Sequence, residues 1–98
     1  MDKYFVYILV CSDGKYYVGM THDVDARLYE HNSGLHPEAF TFKRRPVKLI
    51  YQEGFPDYDQ AFDFERQIKK WTRAKKEALI AGDWDKIEKL AKRKKRNE

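Results

Sequence analysis

The sequence predicts an α/β (α+β) fold in which a small three-stranded antiparallel sheet is flanked by helices. An N-terminal stretch of β-branched and aromatic residues around a turn signal is typical of a β-hairpin. A third extended run lies near the middle of the chain, and the second half carries apolar residues at helical spacing. The 98 residues suffice for one domain. A chain of this size buries roughly 60–65% of the surface that its unfolded form exposes.

The predicted hairpin consists of the strands Tyr4 to Cys11 and Lys15 to Gly19, joined by the turn residues 12–14. This arrangement brings Tyr7 on the first strand near Tyr17 on the second. The register and the facing of the two strands stay open at this stage, because a shift of one residue would move every side chain to the other face.

The first helix is predicted between a cap at Thr21 or Asp23 and the residue Gly34, whose backbone can adopt the left-handed conformation that ends a helix. Arg27 and His31 are four residues apart and therefore share one face of this helix. A helix in this position can pack one side on the hairpin and present polar groups on another.

The segment 35–46 has no clear period, and we expect a loop that becomes ordered only when a ligand binds. Residues 47–54 then alternate as a third strand, with Val47, Leu49 and Tyr51 predicted on one face.

Three more helices are predicted in the second half. The second helix runs from an aspartate cap at position 57 or 59 to about Trp71, the third from Thr72 to Gly82, and the fourth starts at Asp83. Trp71 and Trp84 are expected to pack their helices rather than to stack on a nucleic-acid base.

The charge pattern favours a polyanionic partner, although a solvated surface explains it equally well. The formal net charge is +4 and the isoelectric point is about 9.1. Basic residues that are candidates for binding nucleic acid are concentrated in short runs: Lys43, Arg44, Arg45, Lys69, Lys92, Arg93, Lys94 and Lys95.

Cysteine content and hydropathy exclude two classes of protein. Cys11 is the only cysteine, so an intramolecular disulfide and a cysteine-based zinc site cannot form, and we expect no disulfide-linked partner. The longest apolar run, Tyr4 to Val10, is too short to span a membrane. We expect a cytoplasmic protein with no membrane partner.

Five side chains could together hydrolyse a phosphodiester, a reaction that needs an activated water and neutralisation of phosphoryl charge. Arg27 is a permanently charged fork that suits two phosphate oxygens. Glu65 is a carboxylate that could hold a hard ion such as Mg²⁺. Tyr7, Tyr17 and His31 could move protons. His31 is the better base, because its reference pKa is near 6.5 and that of tyrosine is near 10.

The order of these residues resembles the GIY-YIG nuclease superfamily, which is named after two tripeptides on adjacent strands, followed by a helix that carries an arginine. The matching tripeptides are Val6-Tyr7-Ile8 and Tyr17-Val18-Gly19. The run His31-Asn32-Ser33-Gly34 is similar to short stand-alone bacterial (YhbQ-like) members and to the Slx-type endonuclease domain. The resemblance covers most of the chain and implies a nuclease-like domain over residues 1–82, with a basic C-terminal helix or tail over residues 83–98.

The resemblance implies a Mg²⁺- or Mn²⁺-dependent endonuclease that acts on DNA, on branched or damaged structures, and the choice between DNA and RNA stays open. It implies that Glu65 binds the metal, that Arg27 clamps the phosphate and that Tyr7 or Tyr17 orients or deprotonates water. His31 stands where several branches of the superfamily place a helical histidine. Gly19 belongs to the structural motif.

The chain also departs from the family pattern. Val6 replaces the glycine of the first tripeptide, and no separate DNA-binding domain follows. A protein partner or targeting subunit would therefore help to select the target. Two other functions remain open: a nucleic-acid-binding module that does not cut, and a protein-interaction adaptor that uses an apolar stripe of the fourth helix, formed by Trp84, Ile87 and Leu90.

Overall fold

The computed structural model describes the backbone of residues 2–96 and the side chains of residues 2–91. It confirms the predicted fold class, a three-stranded antiparallel sheet with helices on both faces. In chain order the elements are β1 (Tyr4–Val10), β2 (Tyr16–Thr21), α1 (Val24–Ser33), a 3₁₀ helix (Phe42–Arg44), β3 (Lys48–Phe55), α2 (Tyr58–Lys69), α3 (Arg73–Ala81) and α4 (Trp84–Arg96).

The sheet has the order β2-β1-β3, so β1 is central and β2 is an edge strand. In the hairpin register, Tyr7 lies opposite Gly19, and Leu9 lies opposite Tyr17. Because side chains alternate across a strand and pair across the ladder, these four positions share one face of the sheet. The register therefore brings Tyr7 and Tyr17 to the same side.

The prediction that Val47, Leu49 and Tyr51 share one face was wrong. The partners of Leu49 and Tyr51 on β1 are consecutive residues, so Ile50 is the extra residue of a β-bulge. A bulge reverses the facing of the residues that follow it. Val47 and Leu49 accordingly pack on the side of Tyr7, whereas Tyr51 packs on the opposite side.

The main core lies between the sheet and the helices α2, α3 and α4. Its buried members are Val6, Ile8, Val18, Ala61, Ile68, Ala78, Leu79 and Ile87. A smaller cluster covers the other face and consists of Tyr7, Leu9, Cys11 and Val47, with Tyr17, Leu28 and Leu49 packed against it. The two tyrosines of the tripeptides thus belong to the smaller cluster, on the side of α1.

The helix boundaries follow from local hydrogen bonds. Asp23, Asp57 and Thr72 accept bonds from the first turns of α1, α2 and α3, as predicted. Asp83 accepts a bond from the first turn of α4 in the same way. Gly34 ends α1 with a φ of 73°.

The fourth helix packs mainly on α3 in the described part of the chain. Ile87 is buried in the main core, but Trp84 at the start of the helix is 59% exposed. The expectation that Trp84 packs its helix was therefore wrong, because only the later part of the stripe reaches the core. The division of the chain at residue 82 stays a prediction.

None of the helices that the structure describes has both the length and the apolar content needed to cross a membrane.

Candidate active site

Four of the five residues that the sequence analysis selected come together on the sheet face that α1 covers. They are Tyr7, Tyr17, Arg27 and His31. The ring centroids of Tyr7 and Tyr17 are 6.4 Å apart, and those of Tyr17 and His31 are 5.1 Å apart. His31 comes from the same face of α1 as Arg27, one helical turn later. The strands supply the tyrosines and the helix supplies the arginine and the histidine.

A chain of hydrogen bonds runs through the centre of this cluster. The Tyr7 hydroxyl oxygen lies 3.1 Å from Nε2 of His31, and Nδ1 of His31 lies 2.8 Å from Oγ1 of Thr41. If Nδ1 carries the proton, it donates to Thr41, and Nε2 then accepts a hydrogen bond from Tyr7. In the other tautomer both bonds are reversed. The chain can therefore pass a proton between Tyr7 and His31.

Thr41 was not selected from the sequence. It lies in the segment 35–46, whose apolar residues follow no helix or strand period, and yet Thr41 is only 1% exposed. The hydroxyl fixes the orientation of the His31 ring, since a buried imidazole nitrogen needs a hydrogen-bond partner. No sequence signal marks such a contact, because only the folded loop brings residue 41 to residue 31.

Gly19 makes room for the tyrosine opposite it. A Cβ atom at this position would collide with the hydroxyl and the ring of Tyr7. A glycine on β2 is thus required for the Tyr7 side chain to lie flat across the strand and reach His31. This contact gives a physical reason for the glycine of the second tripeptide.

Burial raises the pKa of Tyr7 to about 12. Repulsion from Glu65, and from Tyr17 in its ionised form, acts in the same direction, whereas Arg27 opposes it through its charge and its N–H donors. Tyr7 is therefore a neutral phenol near pH 7. It can give up its proton only if another group accepts the proton at the same time.

Burial also lowers the pKa of His31 below its ordinary value of 6.5. The positive charges of Arg27 and His36 lower it further, and Glu30 partly compensates. His31 is thus neutral near pH 7, and one ring nitrogen has a free lone pair. The neutral imidazole can therefore accept a proton that the neutral Tyr7 hydroxyl donates.

Arg27 stands at the open side of the cluster. Its Nε atom lies 3.5 Å from Oε1 of Glu30, and 40% of its side chain is exposed. The side chain borders a narrow cleft between α1 and the following loop, lined by Arg27, Glu30, His31, His36, Ala39 and Thr41. An exposed ion pair of this kind contributes little to stability, so the guanidinium can exchange Glu30 for a phosphate.

Glu65 approaches the site from α2. Its side chain is only 13% exposed, and Nζ of Lys69 lies 3.5 Å from its Oε2 atom. The charge of Glu65 contributes to the raised pKa of Tyr7, as the smallest of its causes. The bond to Lys69, one turn away, shows that a positive charge is favourable beside Glu65.

The donor set at Glu65 fits one kind of metal ion. Among the residues that the structure describes, no three His, Cys, Asp or Glu side chains converge on one point. A site of several carboxylates is thus absent from that part of the chain. A single carboxylate suits Mg²⁺, which usually keeps several waters and shares its remaining positions with substrate phosphate.

The basic run at residues 43–45 is held by intramolecular contacts. Arg44 lies 3.1 Å from an Asp13 oxygen and donates to the Phe40 carbonyl, and Arg45 donates to the Phe42 carbonyl. The prediction that this segment becomes ordered only with a ligand stays a prediction. Lys43 is exposed. Nucleic-acid binding by the run stays a prediction.

The other predicted nucleic-acid contacts are Lys69 and the basic residues near the end of the chain. Lys69 is paired with Glu65. The side chains of Lys92, Arg93, Lys94 and Lys95 lie outside the described residues.

Two further contacts support the site and were not predicted. The ring of Phe40 stacks on Tyr17 with centroids 6.0 Å apart and planes at 22°. The Asn32 side chain accepts from the Val47 backbone N–H at 2.8 Å and donates to the Val47 carbonyl at 3.1 Å. Asn32 thus fixes the end of the loop that carries Thr41. The sequence shows the asparagine, but it does not show its partner.

The comparisons with known proteins agree with this arrangement. Residues 3–78 match the family model of the GIY-YIG catalytic domain. The chain belongs to the GIY-YIG family. Both tripeptides, the arginine of α1 and Glu65 on α2 lie inside the matched GIY-YIG region.

Relatives with similar sequences carry UPF0213 names. The chain is 45% identical over 80 residues to UPF0213 protein SERP0126 of Staphylococcus epidermidis. The alignment covers 82% of this chain and 96% of that protein. The chain is 48% identical over 80 residues to UPF0213 protein SA0446 of Staphylococcus aureus, with the same coverage. The alignment thus spans nearly the whole of both relatives.

Two solved structures are similar as well. The solution NMR structure of UPF0213 protein BH0048 from Bacillus halodurans has a TM-score of 0.53 at 40% identity and covers 80% of this chain and 82% of that one. The solution NMR structure of protein EF2693 from E. faecalis has a TM-score of 0.58 at 37% identity. The match covers 84% of this chain and 90% of that one.

Proposed function

We propose that this protein is a metal-dependent endonuclease that hydrolyses phosphodiester bonds in DNA. The observation that carries the proposal is the hydrogen-bonded chain Tyr7–His31–Thr41, beside Arg27 and within the electrostatic reach of Glu65. Membership of a nuclease family supports the same reaction class. The metal ion, the DNA substrate and the individual roles below are part of the proposal.

Arg27 binds the scissile phosphate. Its fork can donate to two phosphoryl oxygens, and its position beside Tyr7 aligns that phosphate with the phenol. The same charge stabilises the additional negative charge of the transition state. Lysine could supply the charge but not the two fixed donors.

The Tyr7 and His31 pair activates the attacking water. A water proton passes to the Tyr7 oxygen while the Tyr7 proton passes to Nε2 of His31, so a free phenolate never forms. The resulting hydroxide attacks phosphorus, the bond from phosphorus to the leaving oxygen breaks, and that oxygen takes up a proton from solvent. Thr41 can accept a hydrogen bond from Nδ1–H of His31, and in that tautomer the free lone pair lies on Nε2. Tyr17 packs against His31 and helps to position the water.

Glu65 would hold the Mg²⁺ or Mn²⁺ ion. When bound, the ion would neutralise phosphoryl charge and assist the leaving oxygen. Glu65 itself keeps a negative charge close to the site. Because little of its side chain is exposed, water screens the interactions of this charge less than those of a carboxylate in open water.

A cleavage assay tests the function. Linear duplex, single-stranded and branched DNA, and RNA of the same sequence, are incubated with Mg²⁺, Mn²⁺ or EDTA and separated on a denaturing gel. We expect cutting of DNA with either metal and none with EDTA. Binding without cutting on every substrate would contradict the nuclease and would favour the binding module.

A further inference from the structure

A second groove adjoins the proposed active site along the free edge of β2. It is lined by Lys15, Tyr16, Phe40, Arg73 and Lys76 and has a volume of about 260 Å³. Phe40 connects it to the catalytic cluster, because the Phe40 ring stacks on Tyr17. The groove is therefore contiguous with the cluster that contains Tyr17.

The groove has a planar surface that is already fixed in place. The guanidinium carbon of Arg73 lies 4.0 Å above the ring centroid of Tyr16. Two further contacts hold it: Nε lies 3.1 Å from Oε2 of Glu77, and one terminal nitrogen donates to the Gly14 carbonyl at 2.8 Å. The Arg73 side chain is nevertheless 55% exposed. A guanidinium plane of this kind is a good surface for a nucleobase.

The charge of the groove is positive. Lys15, Arg73 and Lys76 contribute cations, and Glu77 is the carboxylate beside them, in contact with Arg73 and with the Tyr16 hydroxyl. Within the described part of the chain, neither Lys15 nor Lys76 has a carboxylate at ion-pair distance. Burial also lowers the pKa of Lys76, which reflects a partly dehydrated ammonium group. A phosphate group would satisfy these cations.

The shape of the groove favours an unpaired nucleotide. Its volume lies just below the range of about 300–1,000 Å³ that ligand pockets span. A base can stack on the exposed Arg73 plane only when one of its faces is free, and in a duplex both faces are covered by the neighbouring base pairs. Flat groups and scattered cations along one path are the usual means of binding single strands.

We propose that this groove binds an unpaired nucleotide next to the scissile phosphate, with its base on Arg73 and its phosphate on Lys15 and Lys76. The inference rests on the proposed nuclease function and defines its substrate class. The preferred substrate is then a nucleic acid with a single-stranded segment at the cleavage site, such as a flap, an overhang or a branch.

The test measures binding without cutting. Fluorescence anisotropy in EDTA follows a single-stranded oligonucleotide and a closed hairpin duplex of the same sequence. The variants are Arg73→Lys, which keeps the charge but loses the plane, and the double variant Lys15→Gln/Lys76→Gln. The matched controls are Arg66→Lys, where an arginine covers Phe62, and Lys3→Gln/Lys48→Gln, two exposed lysines toward the opposite edge of the sheet.

We expect Arg73→Lys to weaken single-strand binding roughly 5- to 10-fold and to leave duplex binding unchanged, since stacking contributes to single strands alone. The lysine double variant should flatten the dependence of log K on log salt by roughly 0.7 per lost phosphate contact. Both control variants should bind like the wild type. Circular dichroism and the melting temperature verify folding.

Three results would overturn the inference: no binding of nucleic acid by the wild type, equal effects of the groove variants and their controls, or an equal loss of duplex binding. The two proposals can fail separately. If the groove variants lose single-strand binding and no substrate is cut, the groove stands and the nuclease does not. If the wild type cuts and the groove variants bind like the controls, the nuclease stands and the groove does not.

Discussion

The Tyr7 hydroxyl and Nε2 of His31 lie 3.1 Å apart, although 24 positions separate the two residues in the chain. The contact joins a phenol whose pKa is raised to about 12 to an imidazole whose pKa is lowered below 6.5. Neither group is charged near pH 7, and each needs the other for proton transfer. Four of the predictions below depend on this pair or on the residues that hold it.

His31 should control the acid side of the pH profile. Since burial and Arg27 lower its pKa, the neutral form persists below pH 6.5, and cleavage should decline only at lower pH as His31 becomes protonated. We expect His31→Gln to lower the rate roughly 100-fold or more, as for the loss of an acid-base group. The exposed His22→Gln is the control. A wild-type acid limb centred above pH 6.5 would contradict this assignment.

Tyr7 should make the fold less stable at high pH. The unfolded chain loses this proton near pH 10, whereas the folded protein keeps it to about pH 12, so stability falls as the pH rises between these values. Between about pH 9 and pH 11 the loss from Tyr7 should be about 1 kcal/mol.

Urea unfolding at both pH values measures this loss. In Tyr7→Phe the change of the unfolding free energy with pH should be smaller than in the wild type by that amount. The exposed Tyr29→Phe should keep the wild-type slope. Equal slopes for Tyr7→Phe and the wild type would show that Tyr7 is not protected from ionisation.

Gly19→Ala should displace the Tyr7 side chain, because the new methyl group would collide with its ring and hydroxyl. The cost is expected to be about 1–3 kcal/mol in stability, as for other overpacked positions, with a loss of cleavage. The double variant Gly19→Ala/Tyr7→Leu should recover stability but not activity. If Gly19→Ala alone keeps full stability and activity, the close approach of Gly19 to the Tyr7 ring is not needed for function.

Asn32→Ala should loosen the loop that carries Thr41. The substitution removes both hydrogen bonds to Val47. The backbone N–H of Val47, a residue that is 3% exposed, then has no partner. We expect a loss of about 1–3 kcal/mol in the free energy of unfolding. Asn32→Asp should cost less, because it can still accept from the N–H. Ser33→Ala, at a neighbouring exposed position, is the control. Equal unfolding free energies for all variants would refute this role.

Much of this structure follows from local sequence signals. Caps at Asp23, Asp57 and Thr72 mark where helices begin, and Gly34 marks where α1 ends. These signals act within a few residues, so they can be recognised without the fold. The helical spacing of Arg27 and His31 likewise sets their common face.

The remaining features depend on contacts between distant segments. The bulge at Ile50 results from pairing with β1 and changes the facing of Tyr51. Thr41 and Phe40 lie in a segment without a period, and only the folded loop brings them to His31 and Tyr17. The electrostatic effect of Glu65 on Tyr7 depends in the same way on how α2 packs on the sheet.

The most direct test of the account is metal-dependent cleavage by Glu65→Gln, compared with the wild type and with Glu88→Gln, a matched change at an exposed position of α4. Rates are measured on branched DNA across a Mg²⁺ titration, and folding is verified by circular dichroism. The account predicts wild-type cutting by Glu88→Gln and a loss of roughly 100-fold or more in Glu65→Gln, comparable to removal of a charge-stabilising group. Unchanged, metal-dependent cutting by a folded Glu65→Gln protein would contradict it.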